Sequence, residues 1–276
     1  MTALLRNRTV RPEDGFQELF RSYETDQDGS KYRKRLAQVA VNNGKSLVIE
    51  FDDLIAFDAA LARSVRERPD DFIEYASSAA TAQMRVEDPE YAEHVGKIWA
   101  RFRKVAEVTP LKDLSLRHLG KLVSVEGMIT KVSRAQLALV QGVYRCQRCL
   151  EIVRVVQSGD LLEEPIRRCP SCRQPAAFQL LTEQSRFKDT QEVRISEIVA
   201  KRPDRQQSPR SLNVTLAEDL VDTVRLKDKV EATAIVRIKS LSRNRRPTTR
   251  FSLSLDATCV GPLEQLDGDP MRVVTR

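Results

Sequence analysis

Four of the five cysteines in this chain fall into two close pairs, Cys146-Gln-Arg-Cys149 and Cys169-Pro-Ser-Cys172, with nineteen residues between them. Each pair offers two thiolates at the reach a tetrahedral Zn2+ needs, with Zn–S bonds of about 2.3 Å, and the spacer falls within the zinc-ribbon pattern. The spacing predicts two knuckles that meet around one ion. Two redox CxxC sites would need the βαβ setting of a thioredoxin-like motif, which the flanking residues do not offer. Close pairs with one cysteine left over also argue against a disulfide framework. Four thiolates close the coordination sphere, so the Zn2+ is expected to be structural and no water is activated on it. A zinc deaminase would want an H-x-E element before its P-C-x-x-C, and neither His94 nor His118 sits in one. Cys259 lies in the alternating row Phe251, Leu253, Leu255, Ala257, Cys259 and reads as a core residue.

The first hundred residues read as helical. Phe16, Leu19, Phe20 and Tyr23 recur at helix spacing, and a basic segment, SKYRKRLAQVA, follows. After the short apolar run SLVIEF, Asp52 or Asp53 can cap a helix with Leu54, Phe57, Leu61 and Val65 on one side, ending before Pro69. Asp70 or Asp71 can cap the next, which runs to Pro89, and a last helix places Tyr91, Val95, Ile98 and Phe102 on one stripe. These stripes predict a bundle core. From LVSVEGMITKVS onward short β-rich runs dominate, among them ALVQGVYRC, EIVRVVQ, EVRISEIV, SLNVTL, KVEATAIVRI and FSLSLDATCV. Their number and the long excursions between them suit a small barrel or sandwich, a five-stranded OB barrel in particular. The expected class is α+β in several parts: a helical bundle over 1–108, barrel strands over 109–140 and 181–265, a four-Cys module over 141–180 inserted between them, and a tail over 266–276.

Charge points to a polyanionic partner. The chain carries 46 Lys+Arg against 39 Asp+Glu, a net +7, and the placement matters more than the sum. Residues 237–250, RIKSLSRNRRPTTR, hold six basic residues and no acid between two strand-like runs. This predicts a hairpin with Arg243, Asn244, Arg245 and Arg246 at its tip and Arg237, Lys239 and Arg250 on its arms. Such a loop meets phosphates without competing carboxylates. Only 5% of residues are aromatic, so backbone grip is expected to outweigh base stacking, with strong salt dependence and little sequence preference. No run approaches the roughly 20 apolar residues of a membrane span, and the N-terminus lacks a signal-peptide core, so an intracellular protein without membrane contact is expected.

Three segments in order resemble the minichromosome maintenance (MCM) helicase family. LRHLGKLVSVEGMITKVS at 116–133 is similar to the family's first OB strand and its lead-in, and the cysteine pairs follow at the family's interval. FKDTQEVRISEIV at 187–199 resembles its D-x-Q element with a strand and a glutamate-bearing loop. SPRSLNVTLAEDLVD at 208–222 looks like its P-R-x-x-x-V-x-L segment. The match spans roughly residues 15 to 262, and the compact form looks archaeal. The resemblance implies the N-terminal region of a replicative helicase: a helical bundle, a zinc module making contacts between subunits or rings, and an OB fold lining a channel around DNA. Hexamers or double hexamers, and other replication factors as partners, follow from it. The hairpin would project into that channel. Single-stranded DNA would cross the barrel face, where Lys131, Arg134, Arg186 and Lys188 are the available cations. The polar loop at 200–210, with Pro203 and the Pro209-Arg210 pair, would communicate with a motor domain, although the glycine common in its middle is missing. A location in the nucleoid or cytoplasm of an archaeon, or in a eukaryotic nucleus, is implied.

No G-x-x-x-x-G-K-[ST] motif occurs. Gly44-Lys45-Ser46 imitates its end, but Val39 stands where the first glycine belongs, so neither ATP binding nor hydrolysis is expected of this chain. The alternative reading is a stand-alone OB-fold and zinc-ribbon protein that binds single-stranded DNA. It accounts for barrel, zinc and charge but not for the helical first hundred residues. An enzyme would need clustered titratable groups, for which two histidines and a saturated metal leave little material. A purely structural ring or scaffold component would be indifferent to loss of the hairpin arginines.

Overall fold

The computed structural model describes residues 11–25, 29–105, 107–157, 162–165, 168–198, 209–240 and 249–263. Its N-terminal part contains α1 (Pro12–Ser22), a minimal ladder of β1 (Glu24–Thr25) and β2 (Gly29–Ser30), α2 (Lys31–Val41), β3 (Ser46–Glu50), α3 (Phe51–Phe57), α4 (Ala59–Glu67), α5 (Pro69–Glu87), α6 (Pro89–Val95) and β4 (Trp99–Arg103). Of the residues read as a helix stripe, Phe16, Leu19 and Phe20 are buried together with Tyr32, Leu54, Val65, Phe72, Met84 and Phe102, and Tyr23 packs partly buried against them.

The structure departs from four of the sequence expectations. The stripe from Leu54 to Val65 belongs to two helices, because Asp58 accepts from the backbone N–H groups of Ala60 and Leu61 at 2.8 and 3.0 Å and so starts α4 afresh. Neither Asp52 nor Asp53 caps α3. Both sit in its first turn, and Asp53 instead accepts from Tyr32 Oη at 2.6 Å, Lys31 Nζ at 2.7 Å and Tyr23 Oη at 3.2 Å. In α5 the first helical position is Pro69, whose missing N–H costs nothing there, and Asp70 and Asp71 fall in the first turn instead of at the cap. The last helix also stops early. Gly96, at φ +74°, ends α6 in the left-handed region that suits glycine, and Ile98 and Phe102 then enter the core from an extended segment. That segment's strand, β4, pairs in parallel with β3, with α3 to α6 as the crossover.

The second part is built of β5 (Leu122–Val132), β6 (Gln136–Cys146), β7 (Ile152–Val156), β8 (Phe178–Leu180), β9 (Arg186–Ser196), β10 (Ser211–Ala217), β11 (Lys229–Ser240) and β12 (Phe251–Pro262). Hydrogen-bonded neighbours run β10-β12-β11-β5-β9, and β10 also pairs antiparallel with β9. The ring closes on five strands, as expected of an OB barrel. Val125, Ile129, Val193, Ile195, Val214, Leu216, Val236 and Leu255 fill it. β6 and the first half of β9 run on beyond the barrel, and β7 and β8 flank the far end of β6 to form the cysteine module.

Gly127 marks a close approach of β5 to β9. A Cβ there would stand 2.5 Å from Ile195 Cγ1 and 2.6 Å from the Ser196 carbonyl oxygen, and the backbone oxygen cannot move aside cheaply. Gly127→Ala is expected to destabilise the fold by about 1–3 kcal/mol through overpacking. Urea denaturation should show a lower midpoint at unchanged slope, and an unchanged midpoint would refute the close-approach account.

Candidate metal centre and nucleic-acid surface

The cysteines sit in two turns of the same design. In the first, Leu150 N–H donates to the Cys146 carbonyl at 3.0 Å and Cys146 N–H to the Glu151 carbonyl at 2.9 Å. In the second, Arg173 N–H donates to the Cys169 carbonyl at 2.9 Å and Cys169 N–H to the Gln174 carbonyl at 3.1 Å. Leu150 and Arg173, each just after a second cysteine, both adopt positive φ, at 64° and 57°. The duplication brings the four Sγ atoms within 4.8 Å of one another, and Cys149 Sγ lies 3.6 Å from Cys169 Sγ. A tetrahedron with bonds of about 2.3 Å has edges of about 3.8 Å, so the cage has the size for one Zn2+. Arg148 N–H also points at Cys146 Sγ, at 3.4 Å. Such a donor partly offsets thiolate charge. The four sulphurs fit a soft, tetrahedral divalent cation and leave no coordination position for a substrate.

The β11–β12 ribbon continues past the barrel, from the buried pair Val236 and Leu255 to Ser240 opposite Phe251. The tip predicted from sequence, Arg243, Asn244, Arg245 and Arg246, lies outside the described residues. On the arms, Arg237 is held by two carboxylates: Nη1 donates to Asp70 Oδ2 at 2.9 Å, Nη2 to Asp70 Oδ1, and Nε to Asp256 Oδ2 at 3.1 Å. The hydrogen bonds it donates to Asp70 raise its pKa above the usual guanidinium range. Lys239 Nζ lies 3.5 Å from Thr215 Oγ1 and 3.6 Å from Glu192 Oε1, and Arg250 is exposed.

Lys131, Arg134, Arg186 and Lys188 are all exposed. On β9 the alternation of a strand places Arg186 and Lys188 on the face that also carries Arg194, while Val193 and Ile195 point into the barrel. Arg194 is directly opposite Lys131 in the β5–β9 ladder, and its Nε donates to Asn213 Oδ1 at 3.2 Å. The sequence reading passed over Arg194. Counting in twos from Arg186 and Lys188 would have found it. By contrast, much of the basic run in α2 is internally paired: Lys31 with Asp53, Arg33 with Glu87, Arg35 with Glu50.

Pro203 lies outside the described residues, as does most of its loop, whose two ends are fixed. Glu197 accepts from Lys112 N–H and Arg210 N–H, both at 3.1 Å, and Arg210 Nη1 donates to the Lys112 carbonyl at 3.1 Å. Pro209 precedes this clamp as an exposed residue. Helical part and barrel are also joined by Arg101, which reaches Asp219 and, at 3.2 Å, the Thr258 carbonyl, and by Lys121 to Glu67 at 2.7 Å. Among the described residues no helix is long and apolar enough to cross a membrane.

Two family models match this architecture in order, one described as the MCM N-terminal domain over residues 13–104 and one as the MCM OB domain over residues 110–240. The minichromosome maintenance protein MCM of Saccharolobus solfataricus is 28% identical over 238 residues, which cover 84% of this chain and 34% of that protein. DNA replication licensing factor MCM6 of Arabidopsis thaliana is 26% identical over 262 residues, 92% of this chain and 31% of its own length. DNA replication licensing factor mcm2 of Xenopus tropicalis is 26% identical over 220 residues, 79% and 24% respectively. The chain thus matches between 24% and 34% of the length of these relatives.

Proposed function

Because the chain belongs to the MCM family, carrying its N-terminal and OB domains, we propose that it is the DNA-binding, ring-forming N-terminal region of a hexameric replicative helicase. In this role it encircles or grips DNA during initiation and unwinding. The observation that carries the reading is the β11–β12 ribbon, which leaves a closed barrel and leads into a run of cations without an acid. Arg186 and Lys188, where β9 runs on beyond the barrel, and Lys131 and Arg194 on the barrel's outer face supply further cations suited to tracking a phosphate backbone, with Glu192 among them on the same face of β9. One Zn2+ on Cys146, Cys149, Cys169 and Cys172 supplies structure only: it fixes the two knuckles and so the shape of the module. The chain itself carries no catalytic step in this reading. Unwinding belongs to the whole helicase, and the clamped loop between Glu197 and Arg210 is the route by which a motor domain would sense the barrel.

The test is the light-scattering mass of the zinc-loaded chain in low salt, with and without a single-stranded oligonucleotide, for wild type and for Arg243, Arg245 and Arg246 changed together to Ala. A mass near six or twelve subunits is expected. The triple variant should bind at least about tenfold more weakly, with a log–log salt slope shallower by about two, as for three lost phosphate contacts on a single strand. A monomer that binds equally well without those arginines would transfer the case to a stand-alone single-strand-binding protein.

A further inference from the structure

Arg237 leaves the barrel on the outer side of β11, three positions before the end of that strand and on the way to the cationic tip. Its outer fork, Nη1 and Nη2, is taken by the two oxygens of one carboxylate, Asp70, in the first turn of α5. This parallel, two-pronged geometry is the one by which a guanidinium also grips a phosphate. Its inner nitrogen, Nε, is held separately by Asp256 from the neighbouring strand. Asp256 therefore gives the guanidinium a second anchor that does not use the fork. The Asp70 side chain is 60% exposed and that of Arg237 32%, so water and solutes reach the pair and it is readily opened. Opening it need not detach the helical part, which stays joined to the barrel through Arg101–Asp219 and Lys121–Glu67.

We propose that the outer fork of Arg237 is a phosphate-binding position that Asp70 occupies in the absence of nucleic acid, so that backbone phosphate and the first turn of α5 compete for it. The inference rests on the DNA reading above and adds an autoinhibitory contact to it. Competition of this kind is reciprocal: DNA loosens the first turn of α5, and docking of that turn weakens DNA binding. Asp256 alone would leave Arg237 a pre-positioned cation at the foot of the hairpin.

The experiment uses the 276-residue chain and a fluorescein-labelled oligothymidylate, read by anisotropy across a salt series. Asp70→Asn is compared with Asp71→Asn, which changes the net charge identically one residue along. Asp70→Asn should tighten binding by about two- to fivefold, the range an exposed pair of this kind can withhold, and steepen the salt slope by about one contact. Asp71→Asn should do much less, and Asp70→Asn should add nothing in an Arg237→Ala background. In the wild type, saturating oligonucleotide should speed amide hydrogen exchange at residues 70–76. Equal effects of the two Asn variants, or a gain that survives in Arg237→Ala, would overturn the competition. If Asp70→Asn fails to fold, the wild-type exchange measurement decides alone, and unchanged exchange overturns the proposal. A wild type that binds no oligonucleotide removes the DNA reading and this inference together, whereas binding indifferent to Asp70 removes only the inference.

Discussion

Cys169→Ser is expected to abolish zinc retention and to unfold the module between residues 146 and 180 while the barrel stays folded. The reason lies in what the module lacks. Across residues 141–180 the described buried apolar side chains are Val143, Tyr144, Cys146 and Cys169, and none belongs to either of the two core clusters. With so little apolar surface to bury, a bound ion would have to supply the stability, and structural zinc sites contribute about 10–16 kcal/mol near neutral pH. Cys169 is 1% exposed, and a serine hydroxyl there is a poor ligand in an enclosed site. Metal analysis should fall from one Zn2+ per chain to none. Amide signals of β7, β8 and both knuckles should collapse towards random-coil positions, with those of β11 and β12 retained. A variant that keeps one zinc per chain, or keeps the module's signals without it, would mean that the segment folds by packing alone.

Arg101→Leu should cost about 3 kcal/mol, because it strands a charge between the two parts of the molecule. The Arg101 side chain is 9% exposed and that of Asp219 is 14%. Arg101 Nη1 also holds the Thr258 carbonyl, and its Nε is buried without a hydrogen-bond partner. The arrangement therefore carries a desolvation cost that the ion pair offsets in the main. Removing one partner leaves that cost unopposed, whereas Arg101→Leu combined with Asp219→Leu should recover much of the loss. The chain's one tryptophan reports the event directly: Arg101 Cζ lies 5.7 Å and Lys97 Nζ 4.0 Å from the centre of the Trp99 ring. Urea titrations followed by Trp99 fluorescence should give the single variant the lowest midpoint. If the double variant is no more stable than the single one, the pair is not what holds this junction.

The four-cysteine cluster was legible because its code is local. Two identical spacings yield two identical turns, and nothing distant is needed to see that four sulphurs meet. The barrel was legible through strand alternation and the order of three motifs. Ile98 and Phe102 were misplaced for a physical reason. Their spacing from Tyr91 and Val95 is that of a helix, but one left-handed glycine resets the chain, and β3, some fifty residues earlier, supplies the partner that makes β4 a strand. Asp53 had the look of a cap because a cap is a local event, while its partners Tyr23, Lys31 and Tyr32 come from α2 and the segment before it. Arg237 is a case of the same kind. Read along the chain it is one of six cations without an acid; in space it faces two carboxylates, one of them 167 residues away.

The two matched family domains meet between residues 104 and 110, but the apolar interior does not divide there. Leu122 of β5 and Ile235 of β11, both barrel residues, are buried in the cluster built on Phe16, Phe20 and Phe102. A border drawn by homology therefore cuts through a shared interior. Recombining this helical part with a relative's barrel would exchange two side chains of its own core, so the packing of one part depends on the other. The modularity visible in the sequence is one of ancestry, not of folding energy.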